Sequence, residues 1–271
     1  MKFTKMHGCG NDYVYIDCRE GVPENVSELA IRLSDRHKGI GGDGIILICK
    51  SDKADFMMRI FNADGSEGKM CGNGIRCVAK YVFDKGLTNK HHLEIDTLSG
   101  IKIIDIDPKA NPGDEETWVT VDMGKPETEA IEETIKLPDG TNLTGSIISM
   151  GNPHFVVYSD KTPSDAMVLG QGALAEKHDR FPDRSNIEFA KVSGKDEVEM
   201  RVWERGSGET MACGTGACAT AIAAIQRRLT GNDVTVHLLG GDLHIRLDER
   251  GHVLMTGPAV TVFDGTLIND E

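Results

Sequence analysis

Apolar and polar residues alternate, or cluster in short runs, along most of this chain, and strands are the elements they predict. Residues 45–49 form an unbroken apolar run and 55–61 a mixed one. Residues 101–107 and 118–123 alternate apolar with polar positions, the period of a half-buried strand. The second half repeats this at 146–150, 154–158, 187–192 and 197–203, and 233–239 with 242–247 predicts a hairpin around Gly240 and Gly241. Two segments have the helical period instead. Ile75, Val78, Ala79, Val82 and Phe83 share one face of a helix, and residues 217–229 are alanine-rich with Ile222, Ile225 and Leu229 on one side. The turn-rich, charged stretch 107–116 predicts the domain boundary, 1–115 against 116–260.

Each predicted helix follows a near copy of one motif. Glu67-Gly-Lys-Met-Cys71-Gly-Asn-Gly leads into the first and Glu209-Thr-Met-Ala-Cys213-Gly-Thr-Gly into the second. The cysteines lie 142 residues apart, about half the chain. Gly-x-Gly lets the backbone turn tightly and approach a ligand closely. Both cysteines are therefore expected at a helix N-terminus, where free N–H groups and the positive dipole end bind a carboxylate and draw a thiol pKa below about 8.5. One Cys-Gly-x-Gly would predict only a strand-to-helix turn. Two copies with the same leading Glu predict a duplicated fold that sets two equivalent thiols face to face across one pocket. Such a pair is suited to taking a proton from one face of a carbon and returning one to the other.

Other uses of cysteine fit less well. Seven cysteines is an odd number for a full disulfide framework, and residues 1–5 carry no secretory signature, so reduced thiols are expected. Neither a Cys-x-x-Cys nor a His-x-x-x-His pair suggests zinc. Cys9, Cys18, Cys49, Cys77 and Cys218 are expected to pack as small hydrophobes. The loop from Lys38 to Gly44 is glycine-rich but lacks the Gly-Lys-Ser/Thr ending of a phosphate loop. A length of 271 residues suits one large or two modest domains. The net charge of −13 and the absence of a basic stripe argue against a nucleic-acid partner. No run of 18 apolar residues exists to span a membrane, and a cytoplasmic location is expected.

The two motifs do not stand alone. Together with Met6-His-Gly-Cys-Gly-Asn11-Asp, Phe61-Asn62-Ala-Asp-Gly-Ser66, Met150-Gly-Asn152-Pro-His154 and Trp203-Glu204-Arg205-Gly they closely resemble the diaminopimelate epimerase family. The resemblance spans the chain from Phe3 to Ala259. It implies an α+β fold of two pseudo-symmetric domains, each a curved, mostly antiparallel sheet around a central helix. The site would lie in the cleft between them, with residues 261–271 returning to complete the first domain. It also implies the interconversion of LL- and meso-2,6-diaminopimelate, in lysine and peptidoglycan precursor biosynthesis. No cofactor and no metal are expected, the partner is a small amino-acid substrate, and the assembly is a homodimer.

Residue by residue, Cys71 matches the family's proton donor and Cys213 its acceptor for one direction of turnover. His154 and Glu204 match its supporting acid–base residues. Asn11, Asn62, Asn152, Asn186, Glu204 and Arg205 match its substrate contacts, with chemistry suited to a second amino-acid head group: amides donate and accept, and Arg grips a carboxylate bidentately. Gly72, Asn73, Gly214 and Thr215 occupy the two helix starts and are the natural N–H donors to the carboxylate of a carbanion-like transition state. Some family members carry Gln where this chain has Gly44, so a side-chain contact from that loop is lost here.

Two alternatives remain open on the sequence. A racemase of the same superfamily acting on proline, hydroxyproline or histidine would share both thiols but would not need Asn62, Asn186 and Arg205. A thiol redox protein would use Cys71 and Cys213 as a reversible pair and exchange no α-proton.

Overall fold

The computed structural model describes residues 1–268 and divides the chain into two compact units, Met1–Asp122 with the segment from Gly257 onward, and Met123–Thr256. The division falls one strand beyond the expected boundary at 115/116. The strand Glu116–Asp122 pairs with Lys102–Ile106 across the turn-rich stretch, so it stays with the first unit. The return of the C-terminal segment begins correspondingly earlier, and the expectation for residues 269–271 lies outside the described residues.

The first unit runs β1 (Lys2–Gly8), β2 (Asn11–Asp17), α1 (Val26–Ser34), β3 (Gly44–Cys49), β4 (Phe56–Asn62), β5 (Glu67–Gly68), α2 (Gly72–Asp84), β6 (His92–Asp96), β7 (Lys102–Ile106) and β8 (Glu116–Asp122). Its pairings are antiparallel except β2 with β3 and β4 with β6. β3, the unbroken apolar run, is buried along its whole length between β2 and β4. β7 and β8 bury alternate residues, as their patterns predict. Every residue of α2 from Gly72 to Phe83 is buried, which makes it the helix the sheet encloses.

The second unit runs β9 (Glu127–Lys136), β10 (Asn142–Ser149), β11 (Pro153–Tyr158), a π-helix (Ala166–Gly172) running into a single turn α3 (Ala173–Ala175), β12 (Asn186–Gly194), β13 (Glu197–Glu204), β14 (Gly208–Glu209), α4 (Gly214–Gln226), β15 (Asp233–Leu238) and β16 (Gly241–Leu247). β17 (Val253–Thr266) follows, pairing with β16 through Thr256 and, within the first unit, with β1 from Val260 onward. Again only two pairings are parallel, β11 with β12 and β13 with β15. α4 begins at Gly214, three residues before the predicted start, and ends at Gln226 because Arg228 adopts a left-handed backbone. It is buried on nearly all faces rather than amphipathic, so Leu229 is exposed beyond its end.

The two units repeat one register at the offset of the cysteines. In the first, Gly44 faces Asn62 and Ile60 faces Gly68. In the second, Ile187 faces Trp203, and Trp203 faces Glu209, the same registers moved by 142 positions. The leading Glu of each motif has the same job in both. Glu67 takes a bidentate ion pair from Arg59, with Nε 2.7 Å from Oε1. Glu209 takes one from Arg201, also at 2.7 Å. Each pair fastens the short strand before the cysteine to the strand it leans on.

Gly44 opens β3 where the backbone of β4 comes closest. A Cβ there would lie 2.1 Å from the Phe61 carbonyl oxygen, so no side chain fits this backbone. We expect Gly44→Ala to cost roughly 1–3 kcal/mol of stability, as overpacked sites do; urea unfolding of the two proteins measures it, and equal midpoints would contradict the packing described.

Candidate active site

Each cysteine caps the helix its own sheet encloses. Cys71 has extended backbone (φ −134°, ψ 119°), and its Sγ accepts the Gly74 N–H at 3.3 Å. Cys213 repeats this (φ −115°, ψ 108°), with Sγ accepting the Gly216 N–H at 3.4 Å. The second glycine of each motif leaves room for the sulfur and one further residue. At Gly74 a Cβ would stand 2.5 Å from Ile46 Cδ1; at Gly216 it would stand 2.7 Å from Glu188 Oε1 and 3.2 Å from Cys213 Sγ.

Around Cys71 the partners are neutral or basic. Its thiol donates to Asn11 Oδ1 at 3.3 Å, and Asn73 Nδ2 donates to the same oxygen at 3.4 Å. Asn11 is held from behind by Asp43, its Nδ2 donating to Oδ2 at 2.7 Å. Arg36 pairs with Asp43 and Asp12, and the buried Lys5 pairs with Asp12 at 2.6 Å. Arg76, fully buried in α2, donates to Asn73 Oδ1 at 2.9 Å. The Tyr13 hydroxyl faces the Cys71 thiol and favours its ionised form. Asn62 ends β4, with its Nδ2 donating to Ser66 Oγ at 3.0 Å.

Around Cys213 the partners are acidic. Glu204 lies close enough for its charge to act on the thiol, and it takes a short hydrogen bond from Thr210. Thr215 Oγ1 lies 3.5 Å from Sγ, and Asn152 Nδ2 donates to that hydroxyl at 3.2 Å. His154, wholly buried, contacts Asn152 Oδ1 through Nε2 at 3.1 Å and Glu188 Oε1 through Nδ1 at 2.6 Å. Asn186 has both ends of its carboxamide on backbone: Nδ2 donates to Pro153 O and Oδ1 accepts the Arg205 N–H, each at 2.9 Å. Arg205 is exposed and donates to Asp183 O at 3.2 Å. In this state Asn186 therefore shapes the loop that carries Arg205.

The structure thus gathers Asn11, Gly72 and Asn73 about Cys71, and Asn152, His154, Glu204, Gly214 and Thr215 about Cys213. The sequence does not single out Tyr13, Asp43, Thr210 or Glu188. Only Glu188 leaves a trace there, as an acid set between Ile187 and Phe189 in a predicted strand. Among the described residues no group of three or more His, Cys, Asp or Glu could hold a metal ion, and no helix is long and apolar enough to cross a membrane.

The expected lowering of the thiol pKa does not occur. Burial pushes Cys71 up from its ordinary value, outweighing the N–H groups, Tyr13 and Arg76 that act the other way. Cys213 is pushed up well beyond that value, by burial first and then by the charges of Glu204 and Glu188. Burial likewise raises the Glu204 carboxyl, with Glu188 adding to it. A helix start favours an anion, but a thiolate stripped of water loses more than one hydrogen-bonding turn returns.

The family model for diaminopimelate epimerase matches residues 3–129 and 146–262. A diaminopimelate epimerase of Acetivibrio thermocellus is 49% identical over 288 residues, covering 100% of both chains. One from Bacteroides thetaiotaomicron is 51% identical over 270 residues, covering 98% of each. Among solved structures, a phenazine biosynthesis protein of the PhzF family from Bacillus anthracis superposes with a TM-score of 0.72 at 17% identity, covering 99% of both chains. A hydroxyproline epimerase from Agrobacterium vitis, with bound trans-4-hydroxy-L-proline, gives 0.70 at 16%, covering 98% of this chain and 91% of that one. These two likenesses establish a shared fold.

With both thiols raised, each is protonated at neutral pH in the ligand-free protein, and rising pH creates the thiolate. Iodoacetamide should alkylate both slowly at neutrality and faster as pH climbs past the free-cysteine value of about 8.5, with Cys213 lagging Cys71. Peptide mass spectrometry resolves the two rates; a plateau near neutral pH for either would contradict the effect of burial.

Proposed function

The chain belongs to the diaminopimelate epimerase family and is an isomerase, and we propose that it interconverts LL- and meso-2,6-diaminopimelate without a cofactor, Cys71 and Cys213 serving as the acid–base pair. The observation that carries this is the duplication. Two thiols, each capping an enclosed helix with the same backbone and the same N–H contact, supply the two equivalent proton carriers that inversion at a carbon needs. A thiolate takes the α-proton from one face, leaving the electron pair on carbon, and the other thiol's proton is delivered to the opposite face. The turnover ends with the protonation states of the two sulfurs exchanged, and the reverse direction starts from there.

The raised thiols explain why carboxyl groups accompany Cys213. Moving its proton to Glu204 makes the thiolate while keeping one negative charge beside the sulfur, so little new desolvation is incurred. The N–H groups at the starts of α2 and α4 would hold the substrate carboxylate as charge develops on it, the arrangement that stabilises a carbanion-like transition state. Asn11, Asn62, Asn152, Asn186 and Arg205 would position the rest of the substrate. The same reading carries with it the role in lysine and peptidoglycan precursor synthesis, a cytoplasmic setting and a homodimer.

Incubation with LL-diaminopimelate in deuterated water tests the reading. The α-proton signal should fall as meso product forms, and retention of the proton alongside a reversible Cys71–Cys213 redox couple would favour a thiol redox protein instead. Cys71→Ala and Cys213→Ala should each lower kcat by roughly 10²–10⁴-fold or more, with unchanged circular dichroism. Substrates lacking the second head group, such as lysine, proline and histidine, should lose on the order of 10⁴-fold in kcat/KM, because polar groups built to bond that group are left unmatched. Arg205→Lys should weaken the same discrimination, since an ammonium cannot make two parallel bonds to a carboxylate. Turnover of proline as fast as diaminopimelate would move the assignment to the wider racemase group.

A further inference from the structure

Glu188 is a carboxylate that the fold does not require. It lies in β12 between Ile187 and Phe189, all three wholly buried. The register shared by the two units makes Ile46 its counterpart, and each packs against the second glycine of its cysteine motif. An apolar side chain therefore fills this place in the first unit. In the second, Glu188 Oε2 is buried with no hydrogen-bond partner, which is unusual for a polar atom unless the group is used.

Its other oxygen begins a directed chain. Glu188 Oε1 is hydrogen-bonded to His154 Nδ1 across 2.6 Å. His154 Nε2 meets Asn152 Oδ1 at 3.1 Å, and that oxygen can only accept, so Nε2 carries a hydrogen. Asn152 Nδ2 can only donate, so Thr215 Oγ1 accepts it at 3.2 Å. The Thr215 hydroxyl keeps its own hydrogen when it accepts from Asn152, and Cys213 Sγ lies 3.5 Å away, within reach of that hydrogen. The direction of the links is fixed as far as Thr215. In the first unit the counterpart of His154 is Asp12, which is occupied by Lys5 and Arg36 instead.

We propose that Glu188 is a positioning residue for Cys213: by holding the His154 ring through Nδ1 it orients Asn152, and so leaves the Thr215 hydroxyl to donate to the sulfur. This rests on the reading above that Cys213 acts as a base. A hydroxyl donor stabilises the thiolate that its surroundings otherwise disfavour, and it acts on one of the two sulfurs only. The titratable groups that face this chain are Glu188 from β12, His154 from β11, Glu204 from β13 and Cys213 itself at the start of α4.

The test reads the sulfur directly and needs no turnover. Alkylation of Cys213 by iodoacetamide is followed against pH by peptide mass spectrometry, with Cys71 in the same molecules as reference. In Glu188→Gln the Cys213 rate at a given alkaline pH should fall, by up to about tenfold, because losing the oriented donor outweighs removing a carboxylate charge that itself disfavours the thiolate, while Cys71 is unchanged. Thr215→Val should do the same, Thr215→Ser should restore the native profile, and the double variant Glu188→Gln, Thr215→Val should be no slower than either alone. A folded Glu188→Gln whose Cys213 reacts at the native rate or faster overturns the proposal, as do equal shifts at both cysteines or additive losses in the double variant. Should Glu188→Gln unfold, the Thr215→Val and Thr215→Ser pair decides alone: native rates in both overturn it. Failure of the epimerase reading would show instead as absent deuterium exchange in the unaltered protein, with the alkylation profiles free to follow either course.

Discussion

A cysteine that caps a helix enclosed by its own sheet is the contact on which each half of this protein is built. Enclosing a helix removes water from its first turn, where the N–H groups have no partner inside the helix. Cys71 and Cys213 answer this with sulfur acceptors for Gly74 and Gly216. The glycines follow from the same constraint, because a side chain at either would strike Ile46 or Glu188. So do the ion pairs Arg59–Glu67 and Arg201–Glu209, which hold the strand leading into each cap. Enclosure also sets the chemistry: it keeps both sulfurs as thiols until something compensates the charge.

The duplicated backbone carries unlike side chains. At the shared offset, Asn62 and Ile46 in the first unit become Glu204 and Glu188 in the second, and Asn73 becomes Thr215. Cys71 is accordingly met by a tyrosine hydroxyl and a carboxamide, with Arg76 in support. Cys213 is met by two carboxyl groups and a hydroxyl. The two sulfurs thus sit in unlike surroundings, one near a buried guanidinium and the other beside two carboxyl groups.

Much of this is legible in the order of residues. The repeat, the two caps and the buried run of β3 are local features, each written within a short stretch of chain. The alternation of β7 and β8 likewise reports which residues face inward whatever lies across from them. The pattern does not distinguish β1, β2 and α1; β1 and β2 carry polar residues whose partners come from neighbouring strands and loops. Lys5, half-way along β1, reads as a break in a strand until Asp12 is seen beside it.

The sequence by itself determined the repeat and the two cysteine-led helix starts, since periodicity and motif spacing depend only on neighbours along the chain, and its resemblance to a family carried the fold class. The tertiary structure decided what those thiols are. It moved the division between units beyond β8, turned Asn186 onto backbone, and brought Glu188 to His154 from 34 residues away. It also reversed the expected direction of the thiol pKa shift. A helix start can be read from a few residues, but dehydration is a property of everything that closes around it, and that exists only once the sheet has folded over the helix.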